Sequence, residues 1–246
     1  MVALGALTAA AAGVGAGVLA PDGVDPVADR TPTRAEPSAP PTPVVAQATP
    51  LTTAPPAPSD PPPPAAAVVE IPERGPGTFR VAGGRSDVGG DGALLTYTVE
   101  VERGLPLRVR EIAATVDATL ADPRGWTSAE DRSVQRVERD GDLRILVATP
   151  DTTDQLCAPL DTGGRLSCRN GERVVLNAWR WVHGADAYAG IAQYRRYLVN
   201  HEVGHALGNG HADCDGPGAL APVMMQQTKG LQGCRRNPWP APGPGR

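Results

Sequence analysis

Residues 189–211 read AGIAQYRRYLVNHEVGHALGNGH and hold three of the chain's four histidines. Ile191, Tyr194, Leu198, His201 and His205 recur at steps of three and four, the spacing that lines one face of an α-helix. The pattern predicts a helix from about Ala189 to Leu207. Gly208 ends it, and Asn209-Gly210 also tolerates the left-handed backbone found at helix ends. On such a helix, residues four apart sit about 6 Å apart along the axis on one face. His201 and His205 therefore converge on one point, and Glu202 lies beside it. His211 is out of reach on a straight helix, but the reversal at Gly208 returns it.

Three neutral imidazoles with one open position describe a catalytic zinc site rather than a closed structural one. Zinc lowers the pKa of its bound water towards about 7. Glu202 is placed to take that water's proton and pass it to a leaving amine. Imidazole also suits Cu²⁺ and Ni²⁺, but one catalytic zinc ion is the expected occupant. His183 has no such company and is expected to make an ordinary polar contact.

Upstream, Thr78–Val81 and Leu94–Val101 have strand character, the second alternating through Leu95, Tyr97, Val99 and Val101. Leu107–Leu120 has helical periodicity, with Val109, Ile112, Ala113, Val116 and Leu120 on one side. Ser133–Val137 and Leu143–Val147 are expected to pair across the turn at Asp140-Gly141-Asp142. Leu166–Arg169 and Val174–Trp181 form two further strands joined by Asn170-Gly171. Beyond the long helix, LAPVMMQQT and NPWPAPGPGR predict turns and extended chain. Strands, then one long helix, then irregular chain make an α+β domain, expected over residues 68–246.

The four cysteines, Cys157, Cys168, Cys214 and Cys234, lie in the last 90 residues. No two are two to four residues apart, so a cysteine zinc site is disfavoured. An even number behind an export signal reads as two disulfides. Neighbours in sequence are the favoured partners, Cys157 with Cys168 and Cys214 with Cys234, since each pair flanks a turn-rich segment.

Met1–Ala20 carries no charge, and its length suits a signal peptide or a membrane anchor. Residues 21–67 are Pro-rich, a composition that stays extended and disordered. Such a linker could hold a domain on the order of 100 Å from its attachment point. The expected location is therefore extracytoplasmic, either secreted or attached to the membrane by the N-terminal segment. Net charge is −4 and no basic run occurs, so the chain offers no nucleic-acid surface.

HEVGHALGNGH matches the extended H-E-x-x-H-x-x-G-x-x-H pattern, and here the chain resembles the metzincin zinc endopeptidases. The resemblance implies zinc ligands at His201, His205 and His211, and a general base at Glu202. It also implies a small twisted sheet packed on the active-site helix, followed by a mostly irregular part with a methionine turn. Met224 is the expected turn residue, with Met225 the alternative. Gln226 stands where several metzincin groups have a tyrosine. Asp213 is placed to hold a ligand imidazole through its free ring nitrogen. Metzincin substrates add to an edge strand above the helix, which makes Val174–Trp181 the candidate strand and Asn177 and Trp179 candidate substrate contacts. The segments YRRYLVNHEVGHALG and HADCDGPGALAPVMMQQTKGLQGCRRNPWP also resemble a family of exported actinobacterial proteins with a domain of unknown function. The expected partner is a protein or peptide, a cell-wall peptide included. The competing expectation is a surface or wall-associated binding module with a structural zinc ion.

Overall fold

The computed structural model describes residues 69–241 and Gly243. The signal or anchor expected at 1–20 and the linker at 21–67 lie outside the described residues. No helix among the described residues is long and apolar enough to cross a membrane.

The elements run β1 (Phe79–Val81), β2 (Ala93–Glu102), α1 (Val109–Leu120), α2 (Trp126–Ala129), β3 (Arg132–Arg136), β4 (Leu143–Ala148) and α3 (Pro150–Cys157). They continue with β5 (Cys168–Asn170), β6 (Arg173–Asn177), α4 (Ala178–His183) and α5 (Ile191–Ala206). The sheet order is β1-β2-β4-β6-β5, with β3 paired to the first half of β2. β3, β2, β4 and β6 are parallel, while β1 and β5 are antiparallel to their neighbours. The fold is α+β, as expected.

Side chains alternate across the sheet as the pleat requires. Ile145 and Val147 of β4, with Val174 and Leu176 of β6, join the main core formed with α1 and α5. Leu146, Ala148 and Val175 turn to the other face and pack with the Cys157–Cys168 pair. Helix α5 is thus laid directly on the sheet, and Tyr194, Tyr197, Leu198 and Val203 are its buried contacts.

One pairing and one strand boundary differ from expectation. β3 and β4 do not form a hairpin; both pair with β2, and Tyr97 faces Arg136 on one side and Leu143 on the other. The connecting chain crosses the β2 backbone at Gly141, where a Cβ would stand 3.0 Å from the Thr98 nitrogen and the Tyr97 Cα. Asp142 then accepts the Thr96 N–H and hydroxyl at 2.8 and 2.7 Å, which anchors the crossing. The expected strand Val174–Trp181 also ends early, at Asn177. The Asn177 side-chain oxygen accepts the N–H groups of Trp179 and Arg180 at 2.9 and 3.3 Å and starts α4. That is the N-cap role for which asparagine is suited.

Helix α3 has no counterpart among the sequence expectations. Its sequence, PDTTDQLC, is polar and carries little periodic signal. Its N-terminus is instead held by the fully buried Glu102 of β2, which accepts the Thr149 N–H and the Thr152 hydroxyl, both at 2.7 Å. A carboxylate there complements the helix dipole.

Candidate metal centre

Helix α5 ends in a hydrogen-bonded reversal. Gly208 adopts φ 98°, its N–H donates to the His205 carbonyl at 3.2 Å, and the Asn209 N–H donates to Gly204 at 2.9 Å. This paired arrangement is a Schellman motif, and its left-handed residue is easy only for glycine. It carries the chain back so that His211 meets the other two histidines. Ligand-capable atoms of His201, His205 and His211 all lie within 4.8 Å of one another. The Nε2 atoms of His205 and His211 are 3.1 Å apart.

Main-chain carbonyls set the orientation of two rings. His201 Nδ1–H donates to the Val223 carbonyl at 2.9 Å, and His205 Nδ1–H donates to the Asn209 carbonyl at 2.8 Å. A carbonyl can only accept, so each proton sits on Nδ1 and each Nε2 lone pair is free for a metal. Burial, with smaller contributions from His205 and His211, lowers the His201 pKa to about 4 against the raising effect of the Val223 bond. Burial and then His205 and Lys229 also hold His211 below its ordinary range. The neutral forms of His201 and His211 are therefore favoured. The donor set fits a transition-metal ion such as zinc.

Asp213 does not hold a ring; it is exposed and makes no side-chain hydrogen bond among the described residues. A different residue reinforces the site. Asn209 donates from Nδ2 to Glu130 Oε1 at 2.7 Å, which steadies the residue whose carbonyl holds His205.

The methionine stretch lies beneath the helix. A Cβ at Gly204 would overlap the Met224 sulfur and would stand 2.6 Å from the Trp126 ring. Glycine is therefore required for close approach of helix and turn. Carbonyls of three successive residues then hold the site: Val223 accepts from His201, Met224 from the Ala212 N–H at 3.2 Å, and Met225 from the Tyr197 hydroxyl at 3.0 Å. Met224 joins the main core, whereas Met225 packs with the neighbouring cluster of Ala221 and Cys234.

Both disulfides connect sequence neighbours, Cys157 with Cys168 and Cys214 with Cys234. The second encloses the methionine stretch. Buried Gln227 adds a polar lock, accepting the Tyr188 hydroxyl at 2.8 Å and the Asn237 N–H at 3.0 Å while donating to the Asn237 carbonyl at 2.7 Å. Its sequence context, MMQQT, gives no sign of this role. His183 makes the ordinary contact expected of it, with Nδ1 2.9 Å from the Trp179 carbonyl.

The three histidines and Glu202 line a cleft of about 380 Å³. Burial pushes the Glu202 carboxyl up to about 8. The wall includes Leu166, Ser167 and Arg169 at the edge strand β5, and Gln226 and Lys229 of the C-terminal segment. Asn177 and Trp179 are not part of it. Asn177 is fully buried as the cap of α4, and Trp179 stacks on His183 with ring centroids 4.5 Å apart. The strand that borders the site is β5, because β6 is enclosed between β4 and β5.

No curated protein and no solved structure matches the chain. Residues 65–236 match the family described as "Protein of unknown function (DUF3152)". That span covers more than half of the chain and contains every residue of the candidate metal centre, so the chain belongs to the DUF3152 family.

Proposed function

We propose that the histidine cluster is the zinc centre of an exported peptidase of metzincin-like fold, with Glu202 as its general base. The observation that carries the reading is a buried carboxyl group lining the same cleft as three histidines with converging ligand atoms. A site built only to hold a structural ion has no need of that group, and it usually has a fourth protein ligand. The cluster has three such residues among the described residues.

A zinc ion bound there would polarise a peptide carbonyl and make a water at the open position more acidic. Glu202 takes the proton of the attacking water on its carboxylate and delivers it to the leaving amine nitrogen. Its high pKa belongs to the metal-free protein, and positive charge nearby favours the carboxylate required of a base. His201 and His205 are held in their ligating tautomers by Val223 and Asn209. The edge strand β5 borders the cleft and offers unpaired main-chain groups to an extended substrate, which would add as a further strand. Further support for the metzincin-like reading comes from the chain reversal at Gly208 and from Met224 beneath Gly204. Two disulfides favour an oxidising, extracytoplasmic location.

The test joins metal content with hydrolysis of a peptide library by the wild-type chain and Glu202→Gln. One zinc per chain, with cleavage lost in the variant while zinc is retained, is the expected result. Zinc without cleavage of any peptide would favour a binding module with a structural ion. A folded chain that binds no zinc would refute both readings.

A further inference from the structure

Two cations line the cleft without an acidic partner. Arg169 comes from β5 and Lys229 from the segment after the methionine turn, and both are exposed. Neither makes an ion pair among the described residues. Lys229 is the only lysine in the chain, and its Nζ donates to Gln226 Oε1 at 3.2 Å, another group of the cleft wall. Of the acidic groups in the wall, exposed Asp161 accepts the Gly163 N–H through Oδ1 at 2.9 Å, and Glu202 is buried.

A fixed cation close to the seat of a metal dication opposes metal binding by Coulomb repulsion. Lys229 lines the same cleft as His201, His205 and His211. Its placement becomes favourable once an anion lies between it and the metal. A carboxylate meets this need, because an ionised donor and acceptor form stronger hydrogen bonds than neutral groups. Arginine offers a planar fork for such a partner and lysine a compact point charge. Two exposed cations thus outnumber the one exposed carboxylate, Asp161, in the cleft wall of a chain of net charge −4.

We propose that the cleft selects peptides bearing a carboxylate close to the scissile bond, and that Lys229 and Arg169 bind it. The inference rests on the peptidase reading of the site. An acidic side chain and a free C-terminal carboxylate share this chemistry, and the two are separable by experiment.

The test is calorimetric binding of four peptides to the zinc-loaded full chain carrying Glu202→Gln, which keeps the ligand intact. The peptides share one sequence with a single variable position: Gln with an amidated end, Glu with an amidated end, Gln with a free C-terminus, and Lys with an amidated end. At least one carboxylate peptide is expected to bind about tenfold more tightly than the Gln amide, and the Lys peptide least well. The preferred member identifies the source of the carboxylate. The preference should fall towards one when Lys229→Gln or Arg169→Gln is added, and should shrink at high salt.

Equal binding of all four peptides, or a preference untouched by both substitutions, would overturn the inference. So would the absence of binding by any peptide. Selective binding without cleavage by the wild-type chain would retain the carboxylate site and remove the peptidase reading. Cleavage without selectivity would do the reverse.

Discussion

Gly204 and Met224 meet where no side chain can intervene: a Cβ on Gly204 would overlap the Met224 sulfur. Gly204 lies between the two helical histidines, so this contact sets the height of both above the turn at Met224. Gly204→Ala gains about 1 kcal/mol of helix propensity but overpacks a filled site at a cost of about 1–3 kcal/mol. The expected result is a net loss of stability with weaker zinc binding, measured by urea unfolding and metal titration. A variant more stable than wild type, with unchanged zinc affinity, would remove the close-approach argument.

The three histidines should differ in their structural cost. His201 is 5% exposed and bonded to Val223, whereas His211 is exposed. Each alanine substitution should abolish stoichiometric zinc binding. In the metal-free protein, His201→Ala should destabilise by about 1–3 kcal/mol through a cavity and an unpaired carbonyl. His211→Ala should remain within about 0.5 kcal/mol of wild type. Urea unfolding in a chelator separates the two.

Metal-free stability should fall between pH 6.5 and 8. The Glu202 pKa rises from 4.5 to about 8 on folding, so across this window the folded chain keeps a proton that the unfolded chain has released. Stability then decreases as pH rises, by about 1.5 kcal/mol between these limits. Below 6.5 the opposite effect enters, because His201 is lowered to about 4 and the unfolded chain binds the extra proton. Denaturant titrations at the two pH values should show the loss in wild type but not in Glu202→Gln. The same slope in both proteins would exclude Glu202 as its source.

Asn209→Ala should weaken zinc binding by about tenfold, within the range for groups that orient a ligand from behind. The substitution removes the Asn209–Glu130 bond but leaves the Asn209 carbonyl that accepts from His205. Glu130→Gln retains an acceptor oxygen and should retain most of the affinity. Unchanged affinity in Asn209→Ala would make the Glu130 contact incidental.

Opening Cys214–Cys234 should affect the metal as well as the fold. The bond spans 20 residues and encloses the carbonyls that hold His201 and Ala212. Loss of a loop constraint of this size costs roughly 3 kcal/mol in the chain-entropy model. A Cys214→Ser, Cys234→Ser chain is expected to unfold at lower urea and to bind zinc less tightly. Lower stability with full zinc affinity in the folded chain would show that the turn holds without the bridge.

The helix α5, its stop at Gly208 and the meeting of His201, His205 and His211 were legible because each depends on residues within about three helical turns of one another. The disulfide partners, 11 and 20 residues apart, were readable because each pair joins neighbouring cysteines in sequence and flanks a turn-rich segment. Asn177 carried a legible cap signal as well, since asparagine before AWRWVH suits a helix start, but the β-branched run ahead of it favoured continued strand. Strand pairing was less accessible. β3 and β4 both suit a hairpin locally, yet each finds β2 because Gly141 lets the chain cross its backbone.

Side-chain types and spacing were thus enough to determine the α+β class and the convergence of His201, His205 and His211. Tertiary structure alone decided that β5 borders the cleft, that Val223 and Asn209 carbonyls orient the rings, and that Lys229 and Arg169 share the cleft with the three histidines. The physical reason is that every residue has a main-chain carbonyl, so residue identity cannot mark which one meets a distant imidazole. Long-range register and the path of the chain choose that partner.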